Sequence, residues 1–175
     1  MKEREYVLAV LAAATTVPSR TMLQKLVYLL GKVRREDLEF APHYYGPYSR
    51  EVREEVEQLV HAGLLQEVIT VYEAWEPTPF DVRRYSYSLT RDGEEEALHL
   101  SQAIATDAER LVSVAKSEAW SQEALAVAAK VLHLKEEEPD ADIEDVPALA
   151  KQLGWQISTA GAEQGLRLLK DLRLA

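Results

Sequence analysis

The stretch that most constrains the fold is residues 40–63, where an extended segment, a turn and a helix follow each other directly. Pro42 disfavours the α conformation at the residue before it, and the Tyr44-Tyr45 pair is typical of strands. Gly46-Pro47 predicts a turn, because proline fixes its own φ and keeps the preceding glycine out of the α region. We therefore expect an extended segment that turns directly into the next element.

A short amphipathic helix is predicted immediately after this turn. Ser49 stands at the N-cap position, where its hydroxyl can accept a hydrogen bond from a free N–H of the first turn. Gly63 suits the C′ position that ends a helix. The apolar residues between them recur at helical spacing and are Val52, Val56, Leu59 and Val60. An extended segment that leads into such a helix is the arrangement of the recognition helix in a winged-helix fold.

Two helices are predicted before this stretch and a β-hairpin after it. Residues 6–14 and 22–33 each carry an apolar face at helical period. Residues 64–72 are rich in β-branched side chains, and residues 83–90 alternate polar with apolar, which predicts two paired strands. The order helix, helix, strand, helix, hairpin is that of a winged helix, with the Pro-containing loop 73–81 as the tip of the wing.

Four basic residues belong to the second predicted helix and its end: Lys25, Lys32, Arg34 and Arg35. Positive charge near a helix C-terminus is stabilised by the helix dipole. We favour this role for all four over contact with phosphate.

The remaining residues predict only helices. Thr90 can cap a helix that we expect to run without interruption to about residue 120, since its apolar positions keep a helical period. Three further helices follow in residues 121–175, and they form a candidate helix-turn-helix. The predicted fold class is thus mainly α with a small β-hairpin. It comprises a winged-helix domain at 1–98, a long connecting helix at 99–120 and a C-terminal helical, helix-turn-helix-like bundle at 121–175.

Composition excludes several kinds of site. The absence of cysteine rules out disulfides and any Cys-ligated zinc or iron–sulfur site. The four histidines lack zinc-like spacing, and the sequence contains no glycine-rich phosphate-binding motif; they are His43, His61, His99 and His133. We therefore expect no metal, no cofactor and no catalytic residues, and we predict that the protein is not an enzyme.

The N-terminal apolar run, residues 6–14, is too short to span a membrane, and acidic residues before it cancel the charge of a signal peptide's basic region. We expect no membrane association and a cytoplasmic location.

The candidate nucleic-acid contacts are five residues around the predicted recognition helix and wing: Tyr48, Arg50, Arg53, Arg83 and Arg84. The first turn of a recognition helix is where base-reading side chains lie. The alternative is a solvated, salt-bridged face, because Arg50–Glu54 and Arg53–Glu57 have the i,i+4 spacing of helix ion pairs. We favour this alternative for the helix, and the net charge of −10 also opposes association with DNA.

The candidate protein contacts are four aromatic residues: Tyr44, Tyr45, Trp75 and Phe80. The tyrosines could present hydroxyls to a backbone phosphate or to a partner chain, although we expect at least one of Tyr44, Tyr45 and Tyr48 to fill the core instead. Trp75 and Phe80 flank the wing tip, where they are either tucked against the domain or exposed as anchors for a partner.

Four segments together resemble the YwgA-type family of prokaryotic winged-helix proteins. They are Leu-Gln-Lys-Leu-Val-Tyr-Leu-Leu at 23–30, Tyr-Tyr-Gly-Pro-Tyr-Ser at 44–49, Gly-Leu-Leu at 63–65 and Tyr-Ser-Leu-Thr-Arg-Asp-Gly at 87–93. The Leu-Gln-Lys-Leu and Tyr-Gly-Pro pieces are also similar to the Panacea-type domain of antitoxins and phage-associated proteins. The resemblance implies a winged-helix fold and a protein or nucleic-acid partner, and it supplies no catalytic residues.

Two functions follow from these observations. The first is a DNA-binding transcriptional regulator, since DNA binding is the commonest use of the winged-helix fold. The second is a winged-helix adaptor or antitoxin-like module that binds a protein partner, which the negative charge favours. The sequence ranks DNA narrowly first. We also expect a homodimer, formed through the helix at residues 90–120.

Overall fold

The structure is a computed structural model that describes residues 2–72, 82–117 and 121–175. In these ranges the helices are α1 (Lys2–Ala14), α2 (Arg20–Val33), α3 (Arg50–His61), α4 (Arg91–Ala97), α5 (Gln102–Ser117), α6 (Gln122–Glu137), α7 (Val146–Gln152) and α8 (Thr159–Asp171). The strands are β1 (Thr16–Val17), β2 (Ala41–His43), β3 (Gly46–Tyr48), β4 (Leu65–Tyr72) and β5 (Val82–Leu89). The chain is mainly helical with small antiparallel sheets, as the sequence predicts.

The larger sheet has three antiparallel strands in the order β1-β5-β4. Strand β4 pairs with β5 along its whole length, from Leu65 opposite Leu89 to Tyr72 opposite Val82. Strand β1 places Val17 opposite Tyr87, and both side chains are buried. The sequence did not predict β1, because two residues are too few to show a strand pattern.

The predicted helix starts are confirmed by side-chain caps. The hydroxyl of Ser49 accepts a hydrogen bond from Val52 N at 3.2 Å, and that of Thr90 accepts one from Gly93 N at 3.1 Å. Ser121 and Ser158 cap α6 and α8 in the same way. These caps follow from local chemistry alone, which is why the sequence locates them well.

The turn predicted at Gly46-Pro47 is wrong by two residues. The turn consists of Tyr44 and Tyr45, and β2 and β3 form a hairpin on either side of it with His43 opposite Gly46. Gly46 nevertheless needs its glycine backbone, because its φ is +104°. Residues 40–48 are therefore a β-hairpin that carries two tyrosines at its tip.

The single long helix predicted for residues 90–120 is also wrong. Helix α4 ends at Ala97, and α5 begins anew at Gln102, where the Ser101 hydroxyl accepts a hydrogen bond from Ile104 N at 3.4 Å. The apolar stripe of α5 is buried against α1 and α2. The stripe is therefore not available as a dimer contact. The homodimer stays a prediction, but this helix no longer supports it. Residues 118–120 lie outside the described ranges.

The C-terminal helices pack on the N-terminal half. Helix α6 lies against α2 and β3, α8 packs on α6, and buried side chains from α1 to α8 form one continuous apolar cluster. Trp155, between α7 and α8, is 2% exposed and donates from Nε1 to the backbone O of His43 at 2.6 Å. The hairpin is thus held from both halves of the chain, and the domain boundaries at 98 and 120 stay predictions.

None of the helices in the described ranges combines the length and the apolar character needed to cross a membrane.

We predict that Gly46→Ala lowers the free energy of unfolding by roughly 1–3 kcal/mol, because alanine is strained at φ +104°. Its Cβ would also lie 3.0 Å from Cγ of Lys130 and 3.3 Å from Cε of Lys25. The matched control is Gly63→Ala, which also has a positive φ but no atom within 4 Å of the new Cβ. Urea unfolding of both variants should show the larger loss for Gly46→Ala. Equal losses would mean that crowding at the hairpin adds nothing.

Candidate partner-binding site

The hairpin and the start of α3 are attached to α2 by a buried glutamine. Gln24, which is 6% exposed, donates from Nε2 to the backbone O of Ser49 at 2.9 Å. Its Oε1 accepts a hydrogen bond from the backbone N of Ser49 at 3.0 Å. This two-point contact fixes the residue that caps α3, so Gln24 sets where the helix begins relative to α2.

The neighbouring Lys25 is buried as well and makes a second contact. Its side chain is 1% exposed, and its Nζ donates to the backbone O of Pro47 at 2.5 Å. Among the described residues no carboxylate lies within ion-pairing distance of this ammonium. Burial lowers the pKa of Lys25 to about 8, and the nearby charge of Lys130 on α6 lowers it further in the same direction. The predicted dipole role is therefore wrong for Lys25.

A second polar network ties the start of α2 to the sheet. Arg20 donates from Nε to the hydroxyl of Tyr87 at 2.8 Å, and that hydroxyl donates to Glu67 at 2.6 Å. The guanidinium of Arg20 also lies 3.6 Å from the ring centre of Tyr85. Burial and then the hydrogen bond to Glu67 raise the pKa of Tyr87, so its hydroxyl remains protonated.

A cavity of about 150 Å³ opens between these two networks. Helix α2, the turn between β2 and β3, α3 and β5 all contribute to its walls. Its apolar lining comes from Leu23, Val52 and Val56, and Lys25 also lines it. The cavity therefore lies where the hairpin, the predicted recognition helix and the sheet meet.

The arginines predicted to read DNA are paired with acidic residues of their own helix. Arg50 Nε lies 2.6 Å from Glu54 Oε1, and Arg53 Nε lies 3.6 Å from Glu57 Oε1. Both are i,i+4 pairs, so the two ion pairs expected from the sequence spacing are present on this face. Another acidic residue of α3, Glu55, is buried, and its Oε1 lies 4.0 Å from the guanidinium of Arg4 on α1.

The basic residues predicted at the base of the wing lie on β5. Arg83 and Arg84 pair in register with Val71 and Thr70 of β4, and both are exposed. They thus lie on the sheet rather than on α3, where the other two predicted arginines lie.

The three tyrosines of the hairpin have different environments. Tyr44 is 72% exposed and Tyr45 is 55% exposed, and their rings pack edge to face with centres 4.8 Å apart. Tyr48 is half-buried, with its ring 5.0 Å from that of His43. The tyrosine turn, Tyr44-Tyr45, is therefore a surface feature.

Strand β4 also exposes apolar side chains: Val68, Ile69 and Val71 are 46%, 47% and 58% exposed. Because side chains alternate along a strand, Ile69 and Val71 share one face of the sheet and Val68 lies on the other. Among the described strands β4 is an edge of the larger sheet, and none of them pairs with its outer side. Trp75 and Phe80, the other predicted protein contacts, lie outside the described residues.

Within the described ranges no group of three or more metal-binding side chains comes together. The residues that sequence reasoning missed are Gln24, Lys25 and Trp155. The first two belong to the Leu-Gln-Lys-Leu segment, and two adjacent polar residues inside an apolar helical stripe were the signal that could have shown them to be buried.

Among curated proteins, the chain is similar to the uncharacterized protein YwgA of Bacillus subtilis (strain 168), with 31% identity over 96 residues. The match covers 53% of this chain and 52% of YwgA, so the chain spans about half the length of the curated relative it matches. No protein-family model matches the chain. The similarity agrees with the YwgA-type resemblance in the sequence, while the resemblance to Panacea-type domains stays a prediction.

We predict that Gln24→Leu destabilises the fold by about 1–3 kcal/mol, because the buried N–H of Ser49 loses its partner. The Ser49 carbonyl keeps a bond from Arg53 N at 3.3 Å, so a single group is left unpaired. Gln58→Leu, an equivalent change on the exposed face of α3, is the control. Chemical denaturation should separate the two variants, and similar midpoints would show that the Gln24 contacts do not stabilise the fold.

We predict that Lys25→Met changes how stability depends on pH. The folded-state pKa near 8 is below the unfolded value of 10.5, so the unfolded chain binds the proton more tightly. Wild-type stability must then rise between about pH 8 and pH 10.5, once the buried ammonium can deprotonate. Between pH 7 and pH 9.5 the free energy of unfolding of wild type should rise by about 2 kcal/mol relative to that of Lys25→Met. A difference that stays constant across this range would contradict the burial of a charged lysine.

Proposed function

We propose that residues 2–98 form a winged-helix module and that this module binds a protein partner through the tyrosine turn and β4. The order α1, β1, α2, α3, β4, β5 and the sheet order β1-β5-β4 support the winged-helix part of the proposal. The β2–β3 hairpin is then an insertion between α2 and the helix in the recognition position. Gln24 and Lys25 hold this insertion in place.

The observation that carries the proposal is the exposure of the Tyr44–Tyr45 pair. Tyrosine is enriched among the residues that dominate the binding energy of protein interfaces. The pair sits on a short turn between two strands that accept hydrogen bonds from Lys25 and Trp155, so little conformational entropy is lost when a partner covers it. The exposed apolar residues Ile69 and Val71 of β4 offer a second place where a protein partner could bury apolar surface.

The charges of α3 also favour a protein over DNA. Its solvent side presents Glu51, Glu54 and Glu57 beside two arginines that are already paired with Glu54 and Glu57. A helix placed in the major groove would bring these carboxylates towards phosphates, and the net charge of −10 adds to that repulsion.

DNA binding remains the second candidate, supported by Arg83 and Arg84 on β5. On this alternative the two arginines contact phosphates. Arg83→Ala/Arg84→Ala should then reduce affinity for all DNA sequences and lower the salt slope by about 2.

We predict that Tyr44→Ser/Tyr45→Ser weakens the complex with the protein partner by about 100-fold or more, since two exposed anchors are removed. Capture from a lysate of the source organism should yield a protein that wild type retains and the double variant does not. Calorimetry with that purified protein then gives the affinities. Leu98→Ser is the control, because Leu98 is 82% exposed but lies between α4 and α5.

Fluorescence anisotropy with a mixed-sequence DNA duplex at low salt runs in parallel. Tight, salt-dependent DNA binding that the arginine variant weakens and the tyrosine variant leaves unchanged would contradict the protein-partner proposal. A captured protein that binds all variants equally would contradict it as well.

A further inference from the structure

The lining of the cavity between α2, the hairpin, α3 and β5 carries more positive than negative charge. Its lining includes three cationic side chains, Arg20, Lys25 and Arg53, and one carboxylate, that of Glu57. Arg20 already contacts Glu67, and Arg53 already contacts Glu57. Lys25 is therefore the cation of this lining that has no carboxylate partner among the described residues.

The ammonium of Lys25 has hydrogen-bonding capacity to spare. An ammonium carries three N–H donors, and among the described residues one of them has a partner, the backbone O of Pro47. A buried charge without a counter-ion is costly, and a carboxylate that reaches it gains a charge-assisted bond in surroundings shielded from water.

The size and lining of the cavity restrict what can enter. A volume of about 150 Å³ is similar to that of an apolar protein cavity that holds benzene, and it is below the range of roughly 300–1,000 Å³ for drug-sized ligands. Nucleotides and peptides are too large. Leu23, Val52 and Val56 offer an apolar wall that matches a small hydrocarbon group.

We propose that this cavity binds a small organic acid, whose carboxylate accepts a hydrogen bond from Lys25 Nζ and whose apolar body lies against Leu23, Val52 and Val56. The cavity shares Tyr45 with the surface proposed for a protein partner, but it is tested with small acids alone. Its test therefore does not depend on whether that partner exists.

The test is an NMR titration of the intact protein with benzoate, cyclohexanecarboxylate and hexanoate, each compared with its uncharged amide. At least one acid should give saturable amide shifts that are largest at Lys25, Val52 and Tyr45. Its amide, which has the same shape without the charge, should bind at least tenfold more weakly. Lys25→Met should bind the acid at least tenfold more weakly than wild type does. The control is Lys151→Met, a change at an exposed lysine on α7, and it should bind the acid as tightly as wild type.

The proposal would be overturned by no saturable shifts with any of the three acids, by shifts that map away from the cavity, or by equal affinity for acid and amide. Equal affinity of wild type and Lys25→Met would overturn it too. The comparison of acid with amide uses unmodified protein, so it decides the question even where Lys25→Met does not fold.

Discussion

The arrangement of this protein depends on two adjacent polar side chains buried in α2. Gln24 holds both backbone polar groups of Ser49, and Lys25 holds the carbonyl of Pro47. Ser49 caps α3, so one contact fixes where that helix begins and the other fixes the strand that leads into it. An apolar pair at these positions would pack as well, but it would leave the N–H of Ser49 unpaired in the interior. The pair therefore specifies one placement of the hairpin on α2.

The C-terminal half of the chain also contacts the hairpin. Trp155 donates to the backbone O of His43, and Lys130 lies close to Gly46 and Lys25. The hairpin is therefore held between α2 and the α6–α8 helices rather than projecting from one domain. Lys25 and Lys130 are both cations, so the charge of Lys130 lowers the pKa of Lys25. Burial lowers the same pKa, and both effects therefore oppose the charged form of Lys25.

Local chemistry explains which parts of the fold the sequence could predict. The caps at Ser49 and Thr90 and the pairing of β4 with β5 depend on neighbouring residues, and they are found as expected. The hairpin turn was misplaced because its register is set by distant partners, Gln24 and Trp155, which no local pattern reveals. The break after α4 was missed because the apolar period continues across it, while Ser101 starts a new helix.

The same distinction applies to the candidate site. The i,i+4 ion pairs of α3 could be predicted from spacing alone, whereas the exposure of Tyr44 and Tyr45 followed only from the position of the turn. A turn at Gly46-Pro47 would have placed the tyrosines in a strand with alternating burial, with one of them in the core. Moving the turn by two residues places both at the tip, next to a cavity that contains a buried cation. The chemistry available to this face is therefore decided by hairpin register, and the register is decided by the buried contacts of Gln24, Lys25 and Trp155.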